Sequence, residues 1–227
     1  MNVLSLCDYS GKWAKPYADA GHTVFLVDPK HAPATGEKCW TFDGNIRKVS
    51  DTVRGFLNLY KQGWFGDTAF DVILMAPPCT HFSSSGARWF KGKDKDGRTE
   101  EHAQIVRDCL EVVEVCKPRI WALENPVGRI ASVVPELGKW EMTFHPCDYG
   151  SYAEDGEDEA YTKRTCLWGK FNTDLEKYPI EPVFYTGKNG KRYSRFAFKL
   201  GGKSERTKTL RSNTPTGFSR AFFRANS

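Results

Sequence analysis

The chain has 227 residues, 40% hydrophobic and 27% charged, enough for one large domain or one domain with an appendage. No run approaches the roughly 18 apolar residues that a membrane span needs, and Met1–Leu6 lacks the basic region and cleavage signal of a secretory leader. A net charge of +5 permits a nucleic-acid partner, while seven scattered cysteines without a CxxC pair speak against a zinc site and for reduced thiols in a cytosolic protein.

Val3–Leu6 reads as a first strand, followed by the turn Cys7-Asp8-Tyr9-Ser10-Gly11. Trp13 to Ala20 has helical character and closes at Gly21; Thr23–Val27 is β-branched and apolar, a second strand, with Asp28 after it. Strand, glycine-containing turn, helix, strand and acid form a nucleotide-binding half-unit. Backbone N–H groups at its turn approach the ligand, and the acid binds a ribose diol. Asp28 is otherwise an ordinary strand-end turn residue. One glycine where dinucleotide sites have three argues against NAD and suits a cofactor without a pyrophosphate.

Cys39–Phe42 reads as a third strand, and Ser50 as the N-cap of a helix through Tyr60. Val72–Ala76 is a buried strand that Pro77 and Pro78 stop, because proline has no N–H for the ladder. Cys79 is thereby held at the C-terminal end of a strand, where open α/β sheets keep their ligands and chemistry. Residues 80–98 form a polar loop long enough to be a lid, a binding loop or disordered. Within it, His81 reads as a solvated loop histidine.

Thr99 caps an amphipathic helix, Glu100–Cys116, and Ile120–Leu123 is a buried strand ending at Glu124-Asn125-Pro126. A short helix over Gly128–Val134, a strand over Trp140–Phe144 and a strand ending at Leu167-Trp168-Gly169 follow. Tyr178 to Lys208 is irregular. Its Phe184, Tyr185, Tyr193, Phe196 and Phe198 alternate in part with basic residues, as in a hairpin. This basic, aromatic stretch either stacks bases and binds phosphates or is a solvated face with a few core aromatics. Thr214–Phe223 reads as a short capped helix. Cys7, Cys39, Cys109, Cys116, Cys147 and Cys166 read as structural.

On these residues the chain resembles DNA (cytosine-5) methyltransferases, and the short phage-type members most closely. Pro77-Pro78-Cys79 followed by Phe82-Ser83 matches the family's nucleophile motif, P-P-C-x-x-F-S. Glu124-Asn125-Pro126 matches its E-N-V motif, with Pro126 in place of valine. Asp8-Tyr9-Ser10-Gly11 and Asp28 resemble the cofactor turn and ribose acid, and Gly44-Asn45-Ile46 the G-D-I whose acid meets the adenine amino group. Lys163-Arg164-Thr165 is similar only loosely to the basic Q-x-R-x-R motif. The stretch Phe171–Leu210 is too small for the family's usual target-recognition domain, and Ser212-Asn213-Thr214-Pro215 is a loose counterpart of its final G-N-S-V.

The resemblance implies an α/β, Rossmann-like class I S-adenosylmethionine-dependent methyltransferase fold, a mostly parallel sheet with helices on both faces. A catalytic domain over 1–170 would be followed by a small irregular basic and aromatic region, 171–227. It implies methyl transfer from S-adenosylmethionine to carbon 5 of a flipped-out cytosine in DNA, through a covalent bond between Cys79 and C6. Cys79, Glu124, Arg164 and Lys163 would be catalytic. Asp8, Tyr9, Ser10, Gly11, Asp28, Asn45 and Pro77 would hold the cofactor, and Pro78, Ser83 and Asn125 the substrate, with no metal. Within the basic pair, either residue supplies a field for the thiol, Arg164 is the better candidate for the base O2 or a phosphate, and the pair is otherwise merely solvated. A monomer acting in the cytoplasm of a bacterial or phage-infected cell, without a membrane, is expected. The missing recognition domain keeps open the same chemistry on a cytosine nucleotide, on RNA or with a modified donor, and also a non-catalytic DNA- or S-adenosylmethionine-binding protein.

Overall fold

A computed structural model describes residues 1–32, 40–194 and 211–227. The expectations for Cys39, Phe196 and Phe198 lie outside them. The described strands pair as β1 (Asn2–Leu6), β2 (Thr23–Val27), β3 (Trp40–Asp43), β4 (Ile46–Val49), β5 (Val72–Met75), β6 (Ile120–Pro126), β7 (Met142–Phe144) and β8 (Thr165–Lys170) in one sheet of order β3-β4-β2-β1-β5-β6-β8-β7. β4, β2, β1, β5 and β6 are mutually parallel, while β3 and β8 run antiparallel to their neighbours. This is the Rossmann-like α/β architecture that the resemblance implied.

Strand alternation divides the apolar residues between two cores. Leu4, Leu6, Phe25, Val27, Ile73 and Met75 face α2 (Val53–Lys61) and α4 (Arg98–Cys116), through Phe56, Val106, Cys109 and Val112. Val3, Val24, Leu26, Val72 and Leu74 face α1 (Lys15–Asp19) and the C-terminal helix α6 (Thr216–Ala225), which follows the short α5 (Ile130–Val133) in the chain. Phe218 of α6 stacks on Phe144 at 3.9 Å between ring centroids, and Phe222 meets Trp13 edge-on at 5.6 Å. The final helix is therefore part of the sheet's own core. Its first turn is capped from a distance: the buried Glu159 carboxylate accepts from the Thr216 hydroxyl at 2.7 Å and the Gly217 amide at 3.0 Å.

Several local expectations change. The N-cap of α2 is Thr52, which accepts from the Gly55 amide at 3.0 Å; Ser50 instead donates to the His31 carbonyl at 2.8 Å. Gly97, in a left-handed conformation, precedes α4, and the buried Thr99 bonds Asp94 at 2.7 Å. Residues 84–95 are helical rather than a polar loop: a 3-10 turn over Ser84–Trp89 runs into α3 (Phe90–Lys95). The expected hairpin exists as β9 (Phe184–Thr186) against β10 (Arg192–Ser194), a separate two-stranded sheet. Among the described residues no helix is long and apolar enough to cross a membrane.

The chain leaves β1 toward β2 and β4, then returns to the other side of β1 at β5. β1 and β5 thus flank a topological switch point, and a crevice opens at their C-terminal ends. The turn after β1 and the Pro-Pro-Cys turn after β5 both lie there.

Candidate active site

Register brings the two strongest motifs side by side. Met75 pairs with Leu123 in the parallel β5–β6 ladder, so Glu124 emerges next to Ala76 and the turn that carries Cys79. Asn125, fully buried, donates to the Pro77 carbonyl at 3.0 Å and so fastens that turn. That bond holds the nucleophile turn, while Asn125 Oδ1 is buried without a hydrogen-bond partner. Beyond Cys79, the amides of Phe82 and Ser83 both return to the Cys79 carbonyl, at 3.0 and 2.9 Å. Pro77 is buried, Pro78 exposed, and Ser83 half-buried with its hydroxyl 3.1 Å from that of Ser85.

β8 delivers the third component. Its antiparallel register sets Thr165 against Pro126, so Lys163, two residues earlier, arrives at the same edge as Glu124. The Lys163 ammonium draws both the Cys79 thiol and the Glu124 carboxyl downward in pKa, and donates to the Arg211 carbonyl at 3.2 Å. Arg164 is exposed and acts electrostatically on Cys166, on the other side of the strand. Of the two basic residues expected at the centre, Lys163 is the one whose charge acts on both Cys79 and Glu124.

Burial dominates the titration of the centre. It pushes the half-buried Cys79 thiol up, with Glu124 adding to the rise and Lys163 and Arg211 opposing it. It also pushes Glu124 up, helped by Asp8 and opposed by Lys163. Burial thus biases both the thiol and the carboxyl toward their protonated forms, and the Lys163 ammonium opposes that bias at each. Lys163→Met should slow alkylation of Cys79 by iodoacetamide about tenfold at pH ~7, because each unit of thiol pKa removes about that much thiolate. Arg164→Met should leave the rate within about twofold. Peptide-resolved mass spectrometry separates Cys79 from the other thiols, and equal effects of the two substitutions would refute the assignment.

The crevice beside β1 suits a nucleoside. Asp8 is buried and organises the turn itself, accepting from the Gly11 amide at 2.8 Å, Ser10 at 3.0 Å and Ser5 at 3.0 Å. Gly11 adopts φ +67°, where a side chain would also meet Leu26. Asp28 uses one oxygen for the Lys30 amide at 2.9 Å; the other has no partner among the described residues, which fits a ribose diol. Tyr9, 49% exposed, lies 5.3 Å from the His31 ring, and His31 Nε2 is buried without a hydrogen-bond partner. An open carboxylate oxygen, an exposed aromatic face and an orphaned ring nitrogen match the diol, purine and amine groups of an adenosyl cofactor.

Asn45 does not join them. It precedes β4, at the N-terminal end of the sheet, and donates to the Ala18 and His22 carbonyls at 2.8 and 2.6 Å. Since β4 runs parallel to β2, four residues of strand separate Asn45 from the crevice. The expected adenine contact is corrected: Asn45 ties α1 to the sheet.

Two residues that sequence reasoning passed over shape the centre. Arg129 grips Asp94 with both terminal nitrogens at 2.7 Å, donates through Nε to the His81 carbonyl at 3.1 Å and stacks 3.7 Å over the Phe90 ring. This pairing pulls Asp94 down to about 2. Gly128 lets the segment approach: a Cβ there would fall 1.9 Å from the Phe82 carbonyl oxygen. Arg129 thereby fastens the 84–95 helical segment against the nucleophile turn. Lys93 of that segment donates to the Thr80 carbonyl and interacts electrostatically with Cys79. His81 is buried rather than solvated, its ring tilted 3.8 Å from that of His102, and burial, then the neighbouring His102, push it down to about 4. No sequence spacing links Arg129 to Asp94; the G-R-I that follows the E-N-P motif was the nearest signal.

No protein-family model matches the chain. A probable DNA (cytosine-5)-methyltransferase of frog virus 3 (isolate Goorha) is 30% identical over 117 residues, 48% of this chain and 48% of that protein. The match thus spans about half the length of that curated relative. Among solved structures, the crystal structure of a putative DNA modification methyltransferase encoded within a prophage (Escherichia coli) superposes with a TM-score of 0.50 at 17% identity. It covers 91% of this chain and 66% of the other. The chain therefore has the α/β fold of that structure and, over about half its length, is similar to a DNA (cytosine-5)-methyltransferase.

Proposed function

We propose that the chain is an S-adenosylmethionine-dependent methyltransferase acting on carbon 5 of cytosine in DNA. The observation that carries this reading is the convergence of Cys79, Glu124 and Lys163 at one edge of the switch-point crevice. The similarity to a cytosine-5 methyltransferase of frog virus 3 supports it independently.

Asp28, Tyr9 and His31 would hold the adenosyl group, and the Asp8–Gly11 turn would shape its seat. When bound, S-adenosylmethionine supplies an electrophilic sulfonium methyl group. The chain's own residues prepare the base. Cys79 loses its proton to solvent as Lys163 and the incoming substrate organise the site, and Sγ forms a bond to C6. As that bond forms, Glu124 gives its proton to N3, so no negative charge builds on the ring. C5 becomes enamine-like and nucleophilic. Afterwards the C5 proton leaves to water or hydroxide, the Sγ–C6 bond breaks, and Glu124 takes back the N3 proton. A base inside a duplex hides C6, so the cytosine must leave its stack before Cys79 reaches it. The 84–98 segment, fastened by Arg129 and carrying Lys93, would border the extruded base. The segment from 171 would form a small region beside the catalytic domain, with α6 contributing to the catalytic core.

The test uses tritiated S-adenosylmethionine with DNA, tRNA and dCMP in parallel. Label in 5-methylcytosine recovered from DNA alone is the expected result. Label confined to tRNA or dCMP would move the substrate assignment, and none anywhere despite cofactor binding would refute the transfer.

A further inference from the structure

Two segments joined to the site each carry an exposed aromatic ring paired with an arginine. Trp89 ends the 3-10 turn that follows the nucleophile loop; it is 59% exposed, with the Arg88 guanidinium 5.1 Å from its ring. Phe184 opens β9, 39% exposed, with Arg192 at 4.7 Å. That hairpin is anchored at the site's edge: the Val183 amide donates to the Ala160 carbonyl at 2.8 Å, next to Tyr161, whose hydroxyl senses Glu124. Neither ring has a packing role that explains its exposure, since both are absent from the two apolar cores.

Charge follows the same surface. Arg88, Lys91 and Lys95 lie on the 84–98 segment, and among the described residues none of them is in an ion pair. The acids of that segment are occupied, Asp94 by Arg129 and Asp96 by Arg98. A cationic rim with aromatic faces suits the backbone and bases of a single strand. In a duplex, base faces are covered by their neighbours and offer such rings nothing to stack on. An unpaired strand also removes the cost of extruding the target base from its stack.

Building on the cytosine-methylation reading, we propose that the substrate is single-stranded or locally unpaired DNA, and that Trp89 and Phe184 are stacking platforms for nucleotides on the two sides of the target cytosine. Fluorescence anisotropy with labelled oligonucleotides tests this without turnover, in a Cys79→Ala background. Unpaired DNA should bind about tenfold or more tightly than the matched duplex. Trp89→Ala should weaken binding to unpaired DNA about tenfold, Trp89→Phe should retain most of it, and Phe184→Ala should act independently by a similar factor. Equal or tighter binding to duplex, tighter binding to RNA of the same sequence, or no effect of Trp89→Ala would each overturn the proposal. The two readings fail separately. Label transfer to duplex DNA without a preference for unpaired strands would sink this inference and leave the methyltransferase standing. A clear unpaired-strand preference in a protein that transfers no label would do the reverse.

Discussion

Cys79→Ala is expected to abolish label transfer to cytosine, lowering the rate about 10⁴-fold or more, because it removes the sulfur that forms the bond to C6 in the proposed mechanism. The substitution should leave the fold intact. Cys79 is half-buried at a turn whose hydrogen bonds run through its carbonyl and through Asn125 to Pro77, none of which involves the sulfur. Cofactor binding, measured by calorimetry, should therefore stay within about twofold of the unsubstituted protein. A covalent complex with DNA carrying 5-fluorocytosine should form with the parent protein and vanish in the variant, since fluorine at C5 blocks the final elimination. Undiminished transfer by Cys79→Ala would end the covalent mechanism.

Glu124→Gln is the second large effect, a loss of about 10²–10⁴-fold. Glutamine keeps the shape and donates a hydrogen bond, but it cannot hand over a proton. The pH profile distinguishes this from a packing defect. Burial raises the Glu124 pKa, so the protonated donor persists above the usual carboxylate range, and activity should fall as pH rises through that raised value. Burial also raises Cys79, so the thiolate fraction grows with pH on the opposite limb. The parent should show a bell whose two apparent values belong to the coupled pair. Glu124→Gln should lose the alkaline fall and keep the rise governed by the thiol. A variant with reduced rate and an unchanged bell would show that Glu124 is not the proton donor.

Much of the centre was legible because its signals are local. Val72–Met75 is apolar at every position, as a strand covered on both faces must be, and two prolines end it wherever the chain later packs. The Glu124 strand and the turn–helix–strand of the first half-unit follow the same logic. The misplacement of Asn45 shows the limit. Gly44-Asn45-Ile46 lies between two four-residue strands, and β4 carries Arg47 and Lys48, so nothing in its pattern announces where it starts. Whether Asn45 sits at the crevice end or the far end depends on that start, and only pairing with β2 decides it.

The strand–turn–helix–strand of the first half-unit, the two prolines before Cys79 and the acid within β6 were determined by the sequence alone, since backbone chemistry and hydrophobic period act over a few residues. Tertiary structure decided the rest. Bringing Lys163 to the edge that holds Glu124 required the antiparallel register of β8 against β6. Ordering the 84–98 segment required Arg129, 35 residues from its partner Asp94. Raising the pKa of Glu124 and Cys79 required the burial that the assembled crevice provides. These are properties of groups far apart in the chain, and no local pattern encodes a contact whose partner is chosen by the fold.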